Sequence, residues 1–274
     1  MNDTNEPDRT DDYTHLDRGW EALDSGEPEA ALELAAKASD ELAETWVLRA
    51  TALLELGALR EARLAADEAA LRGSGDEENT ELMLVRAEIA LREWNLEAAR
   101  EELERAAALG PNPVVFSKQA LLADLSGDFG RADRLLRDAH RLDAQNFPLP
   151  ARLSERDFDR ALQDAIAHLP EPFRATLEEV PVIVDPMPSR ELVGDDPLAT
   201  PPDLLGLFLG ESRAEAIESG AGALPPSIHL FQRNLERATG TRRELVEQIG
   251  VTLFHELGHY LGFDEDGVAE LGLE

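Results

Sequence analysis

The chain has 274 residues, 57 acidic against 26 basic, and a formal net charge of −31 at neutral pH. A field of that sign repels the phosphates of nucleic acids and anionic membrane surfaces, so neither is expected as a partner. The absence of cysteine excludes a disulfide framework and thiolate metal ligation, and no apolar run reaches the ~18 residues of a membrane span.

The length accommodates two domains of ordinary size. Residues 1–11 are polar and acidic, with none of the apolar core of a secretory signal, and read as a disordered tail on a cytoplasmic protein. Lys37 and Lys118 are the only lysines. Many carboxylates with so little lysine fit a salt-rich cytoplasm in which charge repulsion is screened.

Residues 12–150 repeat. Gly19, Ala31 and Ala38 recur as Ala50, Ala62 and Ala69, then as Ala87, Ala99 and Ala106, then as Ala120, Ala132 and Ala139. Small residues at those offsets let two antiparallel helices approach closely, and each pair stacks on the next. Turns are expected at Ser25-Gly26, Leu56-Gly57, Glu93-Trp94-Asn95 and Ser126-Gly127-Asp128. The spacing resembles about four tetratricopeptide repeats. That resemblance implies a helical solenoid whose concave face takes a peptide or a protein partner. Trp20, Trp46 and Trp94 read as packing residues. Phe147-Pro148-Leu149-Pro150 cannot continue a helix and marks a junction.

In residues 151–274, Phe158, Leu162, Ile166 and Leu169 predict an amphipathic helix stopped by Pro170. Val180–Val184, Leu204–Leu209 and Ile228–Phe231 read as short strands. One of them is expected to pair with a substrate backbone by strand addition. His229 and Tyr260 are weighed as auxiliary groups at the site. Each has an equally good structural reading, as a packed strand histidine and as a cover for the last helix. Thr241 and Glu244 form a capping-box pattern, and Leu245, Ile249, Leu253 and Leu257 follow at helical spacing.

That last predicted helix carries His255-Glu256-Leu257-Gly258-His259, an HExxH pattern continued by Gly262 and Glu265. Two histidines four apart lie on one helical face and can reach one zinc ion. Glu256 then sits beside the position where a water is activated. Gly262 is suited to end the helix, since glycine takes the left-handed conformation without steric cost. With the sequence running to Glu274, a further ligand is expected among Asp264, Glu265, Asp266, Glu270 and Glu274. Glu265 is preferred because it matches the third-ligand spacing of HExxHxxGxxH enzymes. None of the three methionines follows the motif, so the Met-turn of metzincins is absent.

From Asp157 onward the chain resembles the zincin-like metallopeptidase family. The resemblance rests on Val180–Asp185, Pro202–Gly210, Ser227–Glu236, Glu244–His259 and Glu270-Leu271-Gly272. It implies a small α/β zincin domain with His255, His259 and Glu265 as zinc ligands and Glu256 as catalytic base. Glutamate at the third position departs from the family's usual aspartate. The expectation is therefore a helical repeat solenoid followed by a minimal zincin domain that hydrolyses peptide bonds. The alternative is a protein-interaction adaptor whose zincin domain is not catalytic. A metal-dependent amide hydrolase acting on a small molecule is a third reading.

Overall fold

The computed structural model describes residues 9–73, 79–193, 200–213, 225–263 and 267. The described residues are mostly helical, with twelve helices and a three-stranded sheet towards the C-terminus. No helix among them is long and apolar enough to cross a membrane. By compactness the chain divides into residues 1–119 and 120–274.

The N-terminal helices are α1 (Arg9–Asp24), α2 (Pro28–Ala35), α3 (Ala43–Glu55), α4 (Leu59–Arg72), α5 (Thr80–Arg92), α6 (Leu96–Leu109), α7 (Pro113–Leu125) and α8 (Phe129–Leu142). The division between the units falls within α7. The turns after α1, α3, α5 and α7 share one design. Gly26, Gly57, Trp94 and Gly127 have φ between 57° and 76°. Each donates its N–H three residues back, and the next residue donates five back, as in Glu27 to Ala22 and Asn95 to Ala90. That is the Schellman arrangement, which needs a left-handed residue and so favours glycine. Trp94 is the exception. Asn79, Asn95 and Asp128 then cap α5, α6 and α8 through side-chain oxygens.

The small residues at the repeated positions are buried: Ala31, Ala62, Ala69, Ala99 and Ala132 have no exposed surface. At Gly19 a Cβ would lie 2.4 Å from Leu48 Cδ2. The recurrence therefore records close helix approach, and the helical N-terminal region is compatible with repeats.

The second unit continues with α9 (Glu155–His168), α10 (Glu171–Thr176), β1 (Val182–Asp185), β2 (Gly206–Leu209), β3 (Ser227–Phe231), α11 (Gln232–Arg237) and α12 (Arg242–Leu261). The strand order is β1-β3-β2, with β3 parallel to β1 and antiparallel to β2. One face of the sheet carries Ile228 and Leu230. They join Leu245, Ile249, Leu253 and Leu257 of α12 and Phe158, Leu162 and Ala165 of α9 in a single core. Each such large side chain removed from water contributes about 1.5–3 kcal/mol.

A charged network ties α7 and α8 residues of this unit to α11 and Arg152. Asp124 of α7 has no exposed side-chain surface and is paired with Arg233 and Arg237 of α11. Arg152 reaches Asp133 at 3.1 Å and Glu236 at 2.9 Å, and Glu236 also accepts the Leu153 N–H at 2.9 Å. Burial pushes the Asp124 carboxyl above the usual carboxylate range against the pull of three guanidiniums. Asp133 also loses solvation, but its bond to Arg233 and the charges of Arg233 and Arg152 outweigh that and hold it below the range.

Candidate metal centre

α12 is the structural base of the site. Its capping box closes as the sequence suggests: Thr241 Oγ1 accepts the Glu244 N–H at 3.2 Å, and Glu244 accepts the Thr241 N–H at 3.1 Å. Bonds from Gly240 and Thr241 hold the Glu244 carboxyl below its ordinary range. Leu245, Ile249, Leu253 and Leu257 bury one stripe of the helix. His255 and His259 fall on its half-buried flank.

The two imidazoles meet edge to face with centroids 4.7 Å apart, and their Nε2 atoms are 3.0 Å apart. His259 Nδ1 lies 3.2 Å from the Phe263 carbonyl oxygen. That oxygen can only accept, so Nδ1 carries the proton and Nε2 keeps its lone pair. The helix end supplies this carbonyl. Gly262 is left-handed at φ 96°, and the Phe263 N–H returns to Gly258 O at 3.0 Å. The glycine that ends the helix thus also orients the second histidine.

This pair fits a metal ion. With Zn–N bonds of about 2.0–2.1 Å and a tetrahedral angle, two ligand nitrogens sit about 3.3 Å apart. The observed 3.0 Å differs by a few tenths of an ångström. Among the described residues, no cluster of three ligating side chains forms. Glu265, with Asp264, Asp266, Glu270 and Glu274, lies outside the described residues.

Glu256 points towards the sheet. It is buried, and its Oε2 accepts the Phe208 N–H at 2.7 Å. Phe231 N–H bonds Leu205 O. Alternation in an antiparallel pair then turns the Phe208 amide away from β3, towards the edge of β2 that no described strand pairs. Space for the carboxylate comes from Gly206, where a Cβ would lie 2.5 Å from Thr252 Cγ2 and 3.1 Å from Glu256 Oε1. The roles of Gly206 and the Phe208 amide are not apparent from residue types alone. The available signal was a glycine inside an apolar strand, which marks a close backbone approach.

The auxiliary candidates are otherwise occupied. His229 is buried on β3 and alternates to the sheet face opposite Ile228 and Leu230. There its Nδ1 meets Asp185 Oδ2 at 2.7 Å, and Nε2 lies 3.4 Å from Ser227 Oγ. Tyr260 packs against Phe208 with centroids 5.8 Å apart and donates to Glu179 at 3.2 Å. Burial, then its bond to Glu179, raises the Tyr260 hydroxyl above its ordinary value.

Residues 177–273 match the zincin-like metallopeptidase family. The match spans β1 to the region after α12 and contains both histidines and Glu256. It supports peptidase function, for which zinc is the typical cofactor and peptides or proteins the substrates. No curated protein matches the chain.

Proposed function

We propose that the C-terminal unit is a zinc-dependent endopeptidase acting in the cytoplasm. In this reading residues 151–274 form the catalytic domain. Residues 12–150, taken as about four tetratricopeptide repeats behind a 1–11 tail, recruit the substrate or a partner protein. The observation that carries it is the convergence of His255 and His259 Nε2 at 3.0 Å, with Glu256 between them in sequence and its carboxylate in the adjoining strand edge.

When bound, zinc would supply Lewis acidity, polarising a scissile carbonyl and lowering the pKa of a water. His255 and His259 would hold it through Nε2, with Glu265 as the third ligand. The Phe263 carbonyl keeps the His259 proton on Nδ1, which leaves Nε2 free to ligate. Glu256 would take a proton from the attacking water and return it to the leaving amine. The edge of β2 away from β3, which no described strand pairs, suits an extended substrate whose backbone would meet it beside the Phe208 amide that Glu256 holds.

The test combines metal analysis with turnover. The wild type should hold about one zinc per chain and His259→Ala should lose it. Glu256→Gln should keep the zinc and lose hydrolysis of a quenched-fluorescence peptide library by about 10²–10⁴-fold. Hydrolysis retained in Glu256→Gln, or no zinc after loading and removal of excess, would overturn the reading.

An adaptor is the second reading, favoured by a groove of about 760 Å³ lined by residues of α1, α3 and α5. A partner held through residues 12–146 whether or not zinc is present, together with a chain that hydrolyses nothing, would select it.

A further inference from the structure

The sheet has a second face. Gly206 and Phe208 of β2 and Ile228 and Leu230 of β3 turn towards α12 and the core. The residues between them turn the other way. On that face β3 carries Ser227 and His229, two apart, and β1 carries Ile183 and Asp185. The parallel register sets Ile183 opposite His229 and Asp185 opposite Phe231, so Asp185 stands diagonally ahead of His229.

The three polar side chains form a chain of contacts. His229 Nδ1 meets Asp185 Oδ2 at 2.7 Å, and His229 Nε2 lies 3.4 Å from Ser227 Oγ. A carboxylate can only accept, so Nδ1 carries the proton and Nε2 presents its lone pair to the serine hydroxyl. In that arrangement a histidine can take the serine proton while the carboxylate steadies the imidazolium that results. The 3.4 Å contact is looser than the ~2.6–3.2 Å of a closed nucleophile–base bond, a slack often found before substrate binds. Ser227 is half-buried, whereas His229 is 7% exposed, so the hydroxyl is the accessible end of the chain. On β2, Leu209 stands opposite Ser227 and Leu207 opposite His229. On β1, Ile183 is 40% exposed beside His229. Apolar side chains thus flank the hydroxyl. The Asp185–His229 bond alone would tether β1 to β3; a hydroxyl at the other ring nitrogen is more than a tether needs.

We propose that Ser227, His229 and Asp185 form a hydrolytic site separate from the metal centre, acting on carboxylic esters with a short apolar acyl group. Anionic esters are disfavoured by the net charge of −31. Ser227 Oγ bonds the ester carbonyl carbon as its proton passes to His229 Nε2. The bond from that carbon to the alcohol oxygen breaks, and the alcohol leaves with the proton from Nε2. Water then attacks the acyl-serine and gives a proton to Nε2. The carbon–Oγ bond breaks, Oγ regains that proton, and the carboxylic acid is released. Asp185 is a positioning residue that acts through His229. The proposal is independent of the zinc reading.

The test uses the full chain with a chelator present, so that zinc at His255 and His259 does not contribute. A fluorophosphonate probe loses fluoride to an activated serine and leaves a phosphonyl adduct that peptide mass spectrometry locates. The wild type should carry the adduct on Ser227 and Ser227→Ala should carry none there. Turnover of p-nitrophenyl butyrate should fall to the uncatalysed rate in the same variant. His229→Gln should slow labelling by about 10²–10⁴-fold. Asp185→Asn should slow it at least about tenfold, and Asp185→Glu should recover at least about threefold of that loss. Should His229→Gln lose the circular dichroism of the wild type, native against urea-unfolded wild type decides: Ser227 must label at least about 10²-fold faster in the native chain. Adducts spread over other serines, Ser227 labelled equally in native and unfolded chains, or a folded His229→Gln labelled at the wild-type rate would each overturn the proposal. Failure of the zinc reading would appear in metal content, which none of these measurements reads.

Discussion

Replacing Gly206 with alanine tests how α12 meets the sheet. The new methyl would stand 2.5 Å from Thr252 Cγ2, 3.1 Å from Glu256 Oε1 and 3.2 Å from Glu256 Cγ. Real Cβ contacts are not that short, and both neighbours belong to buried positions of α12. β2 must therefore withdraw from the helix or the Glu256 side chain must turn. Overpacking of this kind costs about 1–3 kcal/mol. Withdrawal also stretches the 2.7 Å bond from the Phe208 amide to Glu256, and a hydrogen bond to a charged group contributes about 1.5–3 kcal/mol. The two costs overlap, so a loss of about 2–4 kcal/mol is expected in urea unfolding followed by circular dichroism. Thr252→Ser removes the methyl that causes the closest contact. The Gly206→Ala penalty should shrink by about 1 kcal/mol in that background, a coupling that a double-mutant cycle isolates. A Gly206→Ala chain within about 0.5 kcal/mol of the wild type, or additive behaviour with Thr252→Ser, would refute the packing described for β2 and α12.

Gly250 lies within α12, and a Cβ there meets nothing within 4 Å; Gly250→Ala should raise stability by about 1 kcal/mol, and no gain in thermal midpoint would count against an open site there. Glu88 has a lowered folded-state pKa, so its contribution is present above the ordinary carboxylate value and is lost as pH falls through the folded one. Urea titrations from neutral pH into the acid range should show a shallower pH dependence for Glu88→Gln, and parallel curves would show that Glu88 is not responsible. With a net charge of −31 and little lysine, unfolding midpoints should rise on adding potassium chloride, whereas a steady fall would remove the salt-rich interpretation.

Local features of this chain were legible because their causes are local. Gly26, Gly57 and Gly127 take the left-handed turns their positions suggest, and the alanine offsets foretell buried contacts. The three strands overlap the apolar runs that indicated them, with β1 running one residue further to Asp185 and β3 starting one earlier at Ser227, and Thr241, Glu244 and Gly262 begin and end α12 through bonds among near neighbours. What the residues did not reveal depends on distant partners. Strand order β1-β3-β2 follows from a crossover that no periodicity encodes. Asp124 reads as an ordinary helical carboxylate until Arg233 and Arg237 are placed on it from more than a hundred positions away. Glu256 stands out in the motif, but the amide that holds it belongs to Phe208, and an amide leaves no mark on residue type. The pairing of His229 with Asp185 likewise depends on the register of β1 against β3.

In the proposed metal site, the turn at Gly262 would also bear on how fast and how tightly an ion is taken up. Because the Phe263 carbonyl already fixes the His259 proton on Nδ1, the imidazole would need no ring flip and no tautomeric exchange to serve as the proposed ligand. The cost of ordering that ring is met when the chain folds and not when the ion arrives, so a larger share of the bond energy appears as affinity. Fraying of the last helical turn would reverse this, since it would free the ring and convert a preorganised ligand into one that must be captured.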